Sequence, residues 1–200
     1  RIDWLVETDE YIQVVGLGNG AGTAYVALQG SAYNVIAAGR TDGQTQVGSV
    51  ALDETYTVGR TRPDLVDPSG YTSTAAPRIA SAVAMLVQAG HDNAAWSSDP
   101  VTTSMTNRAG VLVRNAERSE VIKAALMAGA DRVTRDSTSA DLLNYRRSAT
   151  DQTANGLDRR YGAGQLNVRN SYWILAAGEQ GMTGVATVAG TVATRGFDYD

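Results

Sequence analysis

Two segments carry residues whose type and spacing could do chemistry. The first is Gly16-Leu17-Gly18-Asn19-Gly20-Ala21-Gly22, a glycine-rich turn placed straight after the apolar run 11–17 (YIQVVGL). One reading is dinucleotide binding. Gly16, Gly18 and Ala21 fit G-x-G-x-x-G/A, and Asp42 follows a second apolar run roughly 20 residues later, so a pyrophosphate would sit on a helix N-terminus. Against it, residues 23–29 (TAYVALQ) are too short and too β-branched at their start for the crossover helix, and Gly30 ends them. A second reading takes Asn19 as the point of the loop, its amide N–H aimed at an anionic oxygen. A third is an Asn-Gly turn with no chemistry.

The second segment is Tyr71-Thr72-Ser73-Thr74-Ala75-Ala76-Pro77, at a loop-to-helix junction. Pro77 reads as a first-turn proline, where the missing N–H costs least. A serine at a helix start is most often an N-cap. The chemical reading makes Ser73 a nucleophile, with the helix dipole and free N–H groups favouring the oxyanion formed when its oxygen attacks a carbonyl. The surroundings are not G-x-S-x-G, which argues against an α/β-hydrolase.

The elements that must hold these segments alternate. Strands are expected over 11–17, 33–39 and 64–66. Helices are expected over 74–88, stopped by Gly90, over 119–128, and over 168–177, with Asn167 as N-cap and Gly178 as stop. This alternation predicts an α/β fold with a mainly parallel sheet flanked by helices. Residues 92–118 and 131–160 read as long surface loops. The start, Arg1 to Glu7, reads as the end of an amphipathic helix, and residues 190–200 as a strand just begun. Both ends read as cut from a longer chain.

The chain has 200 residues, with 17 Lys and Arg against 21 Asp and Glu, so its formal charge is −4. That balance excludes a broad electrostatic grip on nucleic acid. Hydrophobic residues make up 43%, enough for a core. No apolar run reaches the length of a membrane span. With no cysteine and one histidine, the sequence offers no disulfide, no thiolate and no His-based zinc site. No cofactor and no metal are expected.

Taken in order, the motifs resemble the C-terminal part of the catalytic domain of subtilisin-like serine proteases. Gly18-Asn19-Gly20 resembles that family's A-G-N-x-G loop. Asn34-Val35-Ile36-Ala37-Ala38-Gly39 resembles S-V-I-A-V-G, and Arg62-Pro63-Asp64-Leu65-Val66-Asp67-Pro68 resembles K-P-D-I-V-A-P. The stretch from Thr72-Ser73-Thr74 through Pro77 to Ala80 resembles T-S-M-A-T-P-H-V-A. Tyr161-Gly162-Ala163-Gly164-Gln165-Leu166-Asn167-Val168 resembles Y-G-x-G-x-I-N-V. The resemblance implies a subtilisin-like fold, incomplete at the N-terminus. Residues 1–178 would be the C-terminal portion of the catalytic domain, and 179–200 an exit segment towards a further β-rich domain.

The same resemblance implies a secreted serine endopeptidase that hydrolyses peptide bonds through an acyl-enzyme. Ser73 would be the nucleophile. The Asn19 side chain and the Ser73 N–H would form the oxyanion hole, and Gly16, Leu17 and Gly18 would line one wall of the primary specificity pocket. The partners implied are a polypeptide substrate and an upstream segment of the same protease bearing the Asp and His, so these residues alone would be inactive. His91, in Gly90-His91-Asp92-Asn93, falls where the family carries a structural H-P-N-W and is not the base. Tyr71 stands where the family has Gly, and only Ser69 and Gly70 separate it from Pro68. Two alternatives stay open: an inactive subtilisin-like pseudoprotease or structural module, and, more distantly, a dinucleotide-binding oxidoreductase fragment.

Overall fold

The computed structural model describes residues 1–19, 28–43, 45, 62–134, 157–158, 160–180 and 195–199. Within them the chain is mixed α/β. Three parallel strands, β1 (Val14–Gly16), β2 (Ile36–Arg40) and β3 (Leu65–Asp67), lie in the order β1-β2-β3. Val15 sits opposite Ala37, and Gly39 opposite Val66. Four helices accompany them: α1 (Ile2–Asp9), α2 (Thr72–Asp92), α3 (Ser119–Gly129) and α4 (Val168–Ala176).

The central strand explains its own sequence. Ile36, Ala37 and Ala38 have no exposed surface, as expected for a strand covered on both faces, which reads as a continuous apolar run. β1 and β2 are shorter than the runs that signalled them, and β3 keeps its expected three residues shifted by one. The β1–β2 ladder still continues at both ends, through Ile36 N–H to the Gln13 carbonyl (2.9 Å) and Leu17 N–H to the Ala38 carbonyl (3.1 Å). The far edge of β3 is closed by the tyrosine-glycine motif: Val66 N–H donates to the Gly164 carbonyl at 3.0 Å and Leu166 N–H to the Val66 carbonyl at 2.9 Å.

α2 is the long packing element. Its buried residues Thr72, Ala75, Ile79, Ala82, Val83, Leu86 and Gly90 recur at three and four, the spacing that turns one helix face to a core. All but Thr72 and Gly90 join Ile36, Leu65, Ile122, Leu126 and Leu175 in one hydrophobic cluster. α4 begins as its sequence predicts, with the Asn167 side chain accepting the Asn170 N–H at 3.0 Å. Gly178 follows it at φ 82°, the left-handed conformation that suits glycine after a helix end.

Three expectations are corrected. α2 starts at Thr72, so Pro77 is its sixth residue and not part of the first turn. A proline there has no N–H for the carbonyl of the residue four earlier, which is Ser73. Next, residues 92–118 are not one open loop. Strands β4 (Ser104–Thr106) and β5 (Leu112–Arg114) pair antiparallel within them. Asn107 closes that hairpin by accepting the Ala109 and Val111 N–H groups on Oδ1 at 3.0 and 2.9 Å. Strands of three residues are too short for an alternation signal. Of 131–160, most lies outside the described residues.

The third correction is Gly90, which lies inside α2 and does not stop it. A Cβ at Gly90 would stand 2.8 Å from the Ala116 carbonyl oxygen and 3.0 Å from its carbon. The helix therefore needs glycine for close approach to a neighbouring chain segment, a requirement that leaves no local mark. Two effects oppose each other at this position. Helix propensity favours Ala over Gly by about 1 kcal/mol. Overpacking against backbone costs about 1–3 kcal/mol. Because the clash is with main chain, the overpacking cost falls towards the upper end of its range, and Gly90→Ala is expected to lower stability by up to about 2 kcal/mol net, read as a reduced denaturation midpoint at unchanged m-value. A stabilised variant would show that propensity wins.

Two further groups tie the layers together. The only lysine, Lys123 on α3, donates from Nζ to the Tyr33 and Val35 carbonyls at 2.8 Å each and lies 3.6 Å from the buried Asp64 carboxylate. Burial holds its pKa below the ordinary lysine value. Residues 195–199 fold back on the domain, where Phe197 joins the main core and Gln180 N–H donates to the Phe197 carbonyl at 2.8 Å.

Candidate active site

All three sheet strands end on one side, at Gly16, Arg40 and Asp67. In open parallel sheets this carboxyl edge is where ligands bind. The N-terminus of α2 stands at that edge beside β1. A Cβ on Gly16 would lie 3.0 Å from the Thr72 carbonyl oxygen and 3.5 Å from the Ser73 nitrogen. Glycine at position 16 is thus what lets the strand end and the helix start meet.

Asn19 is fixed by the same helix start. Its Oδ1 accepts the Thr72 N–H at 2.8 Å and lies 3.2 Å from Thr72 Oγ1, which itself donates to the Leu17 carbonyl. Because the oxygen end of the amide is held by a backbone donor, the nitrogen end, Nδ2, is turned the other way. Nδ2 has no partner among the described residues, and Asn19 is exposed.

The donors of the helix's first turn can be accounted for one by one. Thr74 and Ala75 N–H both go to the Tyr71 carbonyl at 3.0 Å. Thr72 N–H goes to Asn19. Ser73 N–H is left without a partner among the described residues. The N-cap is Tyr71, and Ser73 is the second helical residue, so the reading of Ser73 as N-cap is overturned. Its side chain is exposed and makes no hydrogen bond among the described residues. Among the described residues, the positive end of this 21-residue helix therefore carries an unpaired Ser73 hydroxyl and N–H, with the Asn19 N–H₂ turned away from Thr72.

The three wall residues differ from one another. Gly16 is exposed and Gly18 half-buried. The Leu17 side chain is 4% exposed and packs against Ala37, so this stretch offers backbone and not a side chain to the outside. Tyr71, 63% exposed, stands at the rim. Arg78, one turn beyond Ser73, pairs with the buried Asp67 at 3.0 Å and holds the end of β3 to α2.

No imidazole reaches Ser73. His91 lies near the other end of α2, about 27 Å away along the axis at about 1.5 Å per residue. Its Nδ1 is 2.9 Å from Glu117 Oε1. The dinucleotide reading finds little to stand on. The helix that faces Gly16 and Asn19 is α2, which follows β3, whereas the motif needs a helix opening straight after the glycines. Residues 20–27, Ala21 among them, lie outside the described residues, and the next element, Leu28–Ser31, is a single tight turn. Asp42 is paired with Arg40.

Sequence reasoning missed Thr72. Its N–H and hydroxyl set the Asn19 amide and the Leu17 carbonyl from 53 and 55 residues away. A threonine before a serine carries no signal of such a partner. Among the described residues, no cluster of acidic, His or Cys side chains could hold a metal ion, and no helix is long and apolar enough to cross a membrane.

No family model matches the sequence, and no curated protein matches it. Among solved structures the chain is similar to patellamide maturation protease PatA, with a TM-score of 0.47 and 17% identity. The match covers 84% of this chain and 52% of that one, so the chain spans about half the length of the structure it matches.

Proposed function

We propose that this chain is the nucleophile-bearing part of a subtilisin-like serine endopeptidase, with Ser73 as nucleophile and Asn19 Nδ2 and Ser73 N–H as the oxyanion hole. One observation carries the reading: Asn19 Oδ1 is held by the N–H of Thr72, the neighbour of an exposed Ser73 whose hydroxyl and N–H have no partner among the described residues. The order of the five sequence motifs supports it.

In the proposed reaction Ser73 Oγ attacks the scissile carbonyl carbon and its proton passes to a base. The carbonyl oxygen becomes an oxyanion held by the two donors. Its collapse breaks the C–N bond, the base returns the proton to the leaving amine, and an acyl-Ser73 ester remains. Water, deprotonated by the same base, then releases the acid and frees Ser73. The base and its orienting carboxylate are supplied by a segment outside these 200 residues, because the one histidine of the sequence sits at the wrong end of α2.

That no base lies within reach of Ser73 among the described residues also favours a second reading, an inactive pseudoprotease or structural module that keeps Ser73 and Asn19 as relics or packing residues. A fluorophosphonate probe separates the two, since it labels a serine only when its base is in place. On the natural polypeptide, an adduct mapped by peptide mass spectrometry to Ser73 is the expected result. A folded polypeptide that carries the Asp and His segment yet gives no adduct on Ser73 would sink the protease reading in favour of the second.

A further inference from the structure

A large groove lies away from Ser73. It opens between α1, the β4–β5 hairpin and the middle of α2, with a volume of about 890 Å³. Its floor and walls are apolar, formed chiefly by Ile12, Val83, Val87, Val111, Leu112 and Val113. That size and lining are those of small-molecule sites, in which a few polar groups fix orientation.

The polar groups at the rim decide which molecule fits. Asp9 is bound by Arg108 through Nε at 2.6 Å and through Nη2. Glu10 is held by Arg118 at 2.6 Å and by the Ser119 N–H at 2.7 Å. Glu117, 7% exposed, accepts the Arg114 N–H on one oxygen at 2.8 Å and faces His91 Nδ1 with the other at 2.9 Å. Arg114 in turn donates to the His91 carbonyl at 2.6 Å. Each charge at the rim thus has its counter-charge, and a charged ligand meets no unpaired partner.

The His91 imidazole adds a polar atom with no counter-charge of its own. A carboxylate only accepts, so His91 Nδ1 carries the proton towards Glu117, and in the neutral ring Nε2 is the nitrogen with the lone pair. Nε2 has no partner among the described residues, and the imidazole is one of the groove's lining groups. We propose that this groove binds a neutral, mainly apolar molecule bearing one hydroxyl or N–H donor, with the donor on His91 Nε2 and the apolar body over Val83 and Val87. A pure hydrocarbon would cover Nε2 and leave it dry and unbonded, which costs free energy, whereas a donor restores the bond lost to water. The inference is independent of the protease reading and survives its failure.

The sequence supplies its own reporter, because His91 is the only histidine and its ring signals stand alone in an NMR spectrum. The probes are 2-naphthol and 2-methoxynaphthalene, which share the ring system and differ in the donor. Expected are a saturable shift of the His91 signals with 2-naphthol and an affinity about five- to ten-fold lower for the methyl ether. His91→Ala, followed by a tryptophan signal in place of the histidine, lowers 2-naphthol to the level of the ether. Val111→Glu, at an exposed loop position that the core does not need, abolishes both. No saturable binding of 2-naphthol, equal affinity for the two probes, or binding indifferent to either substitution overturns the proposal.

Discussion

Ser73→Ala is expected to remove about six orders of magnitude from kcat/KM for peptide hydrolysis by the natural polypeptide, the size of the effect when the nucleophile of subtilisins is removed. The residue left behind would still bind substrate and still offer both oxyanion donors, so a small excess over the uncatalysed rate remains. The change should leave the fold alone. Ser73 is an exposed second residue of α2, its hydroxyl spends nothing on capping, and Ala is a better helix former than Ser. Stability within about 0.5 kcal/mol of the parent is therefore expected. This pairing of outcomes is diagnostic, because a packing relic would give no catalytic change and a structural serine would give a stability change. Hydrolysis that persists in Ser73→Ala at more than a few per cent of the parent rate would rule Ser73 out as nucleophile.

How much of this could be read from the chain depends on how local the cause is. β2 was legible because a strand buried on both faces spells out its burial as an unbroken apolar run from Val35 to Ala38. The core face of α2 and the Asn167 cap of α4 were legible for the same reason, since each rests on residues three or four apart. The β4–β5 hairpin was not. Its three-residue strands are too short to show an alternation, and its turn is closed by one asparagine side chain. Gly90 was misread because its partner, the Ala116 carbonyl, is remote in sequence. The site shows the same division. Asn19 between two glycines and Ser73 before Pro77 stood out as residue types in suggestive places. What joins them stayed hidden, because Thr72 holds Asn19 from 53 residues away in sequence and Gly16 lies tight against the Thr72 backbone.

That hidden join sets the second large effect. Asn19→Leu deletes the carboxamide donor and is expected to lower kcat by about 10²–10³ with little change in KM, the signature of an interaction made with the oxyanion and not with the ground-state carbonyl. Leucine also removes the acceptor for Thr72 N–H, so a shift of the α2 start could mimic the loss. Asn19→Asp separates the two causes. An aspartate keeps an oxygen for Thr72 N–H, now charge-assisted at a helix N-terminus, and so preserves the local structure. It nevertheless puts negative charge where the proposed oxyanion would form. Its kcat should therefore fall at least as far as that of Asn19→Leu, while its stability equals or exceeds the parent's. Thr72→Val completes the argument, because it removes the hydroxyl bonded to the Leu17 carbonyl and loosens Asn19 without touching the donor itself. Its own loss should be smaller, and in the Asn19→Leu background it should add almost nothing, since both changes act through one amide. Full additivity of the two, or an Asn19→Asp enzyme as active as the parent, would mean that the Asn19 amide is not what holds the oxyanion.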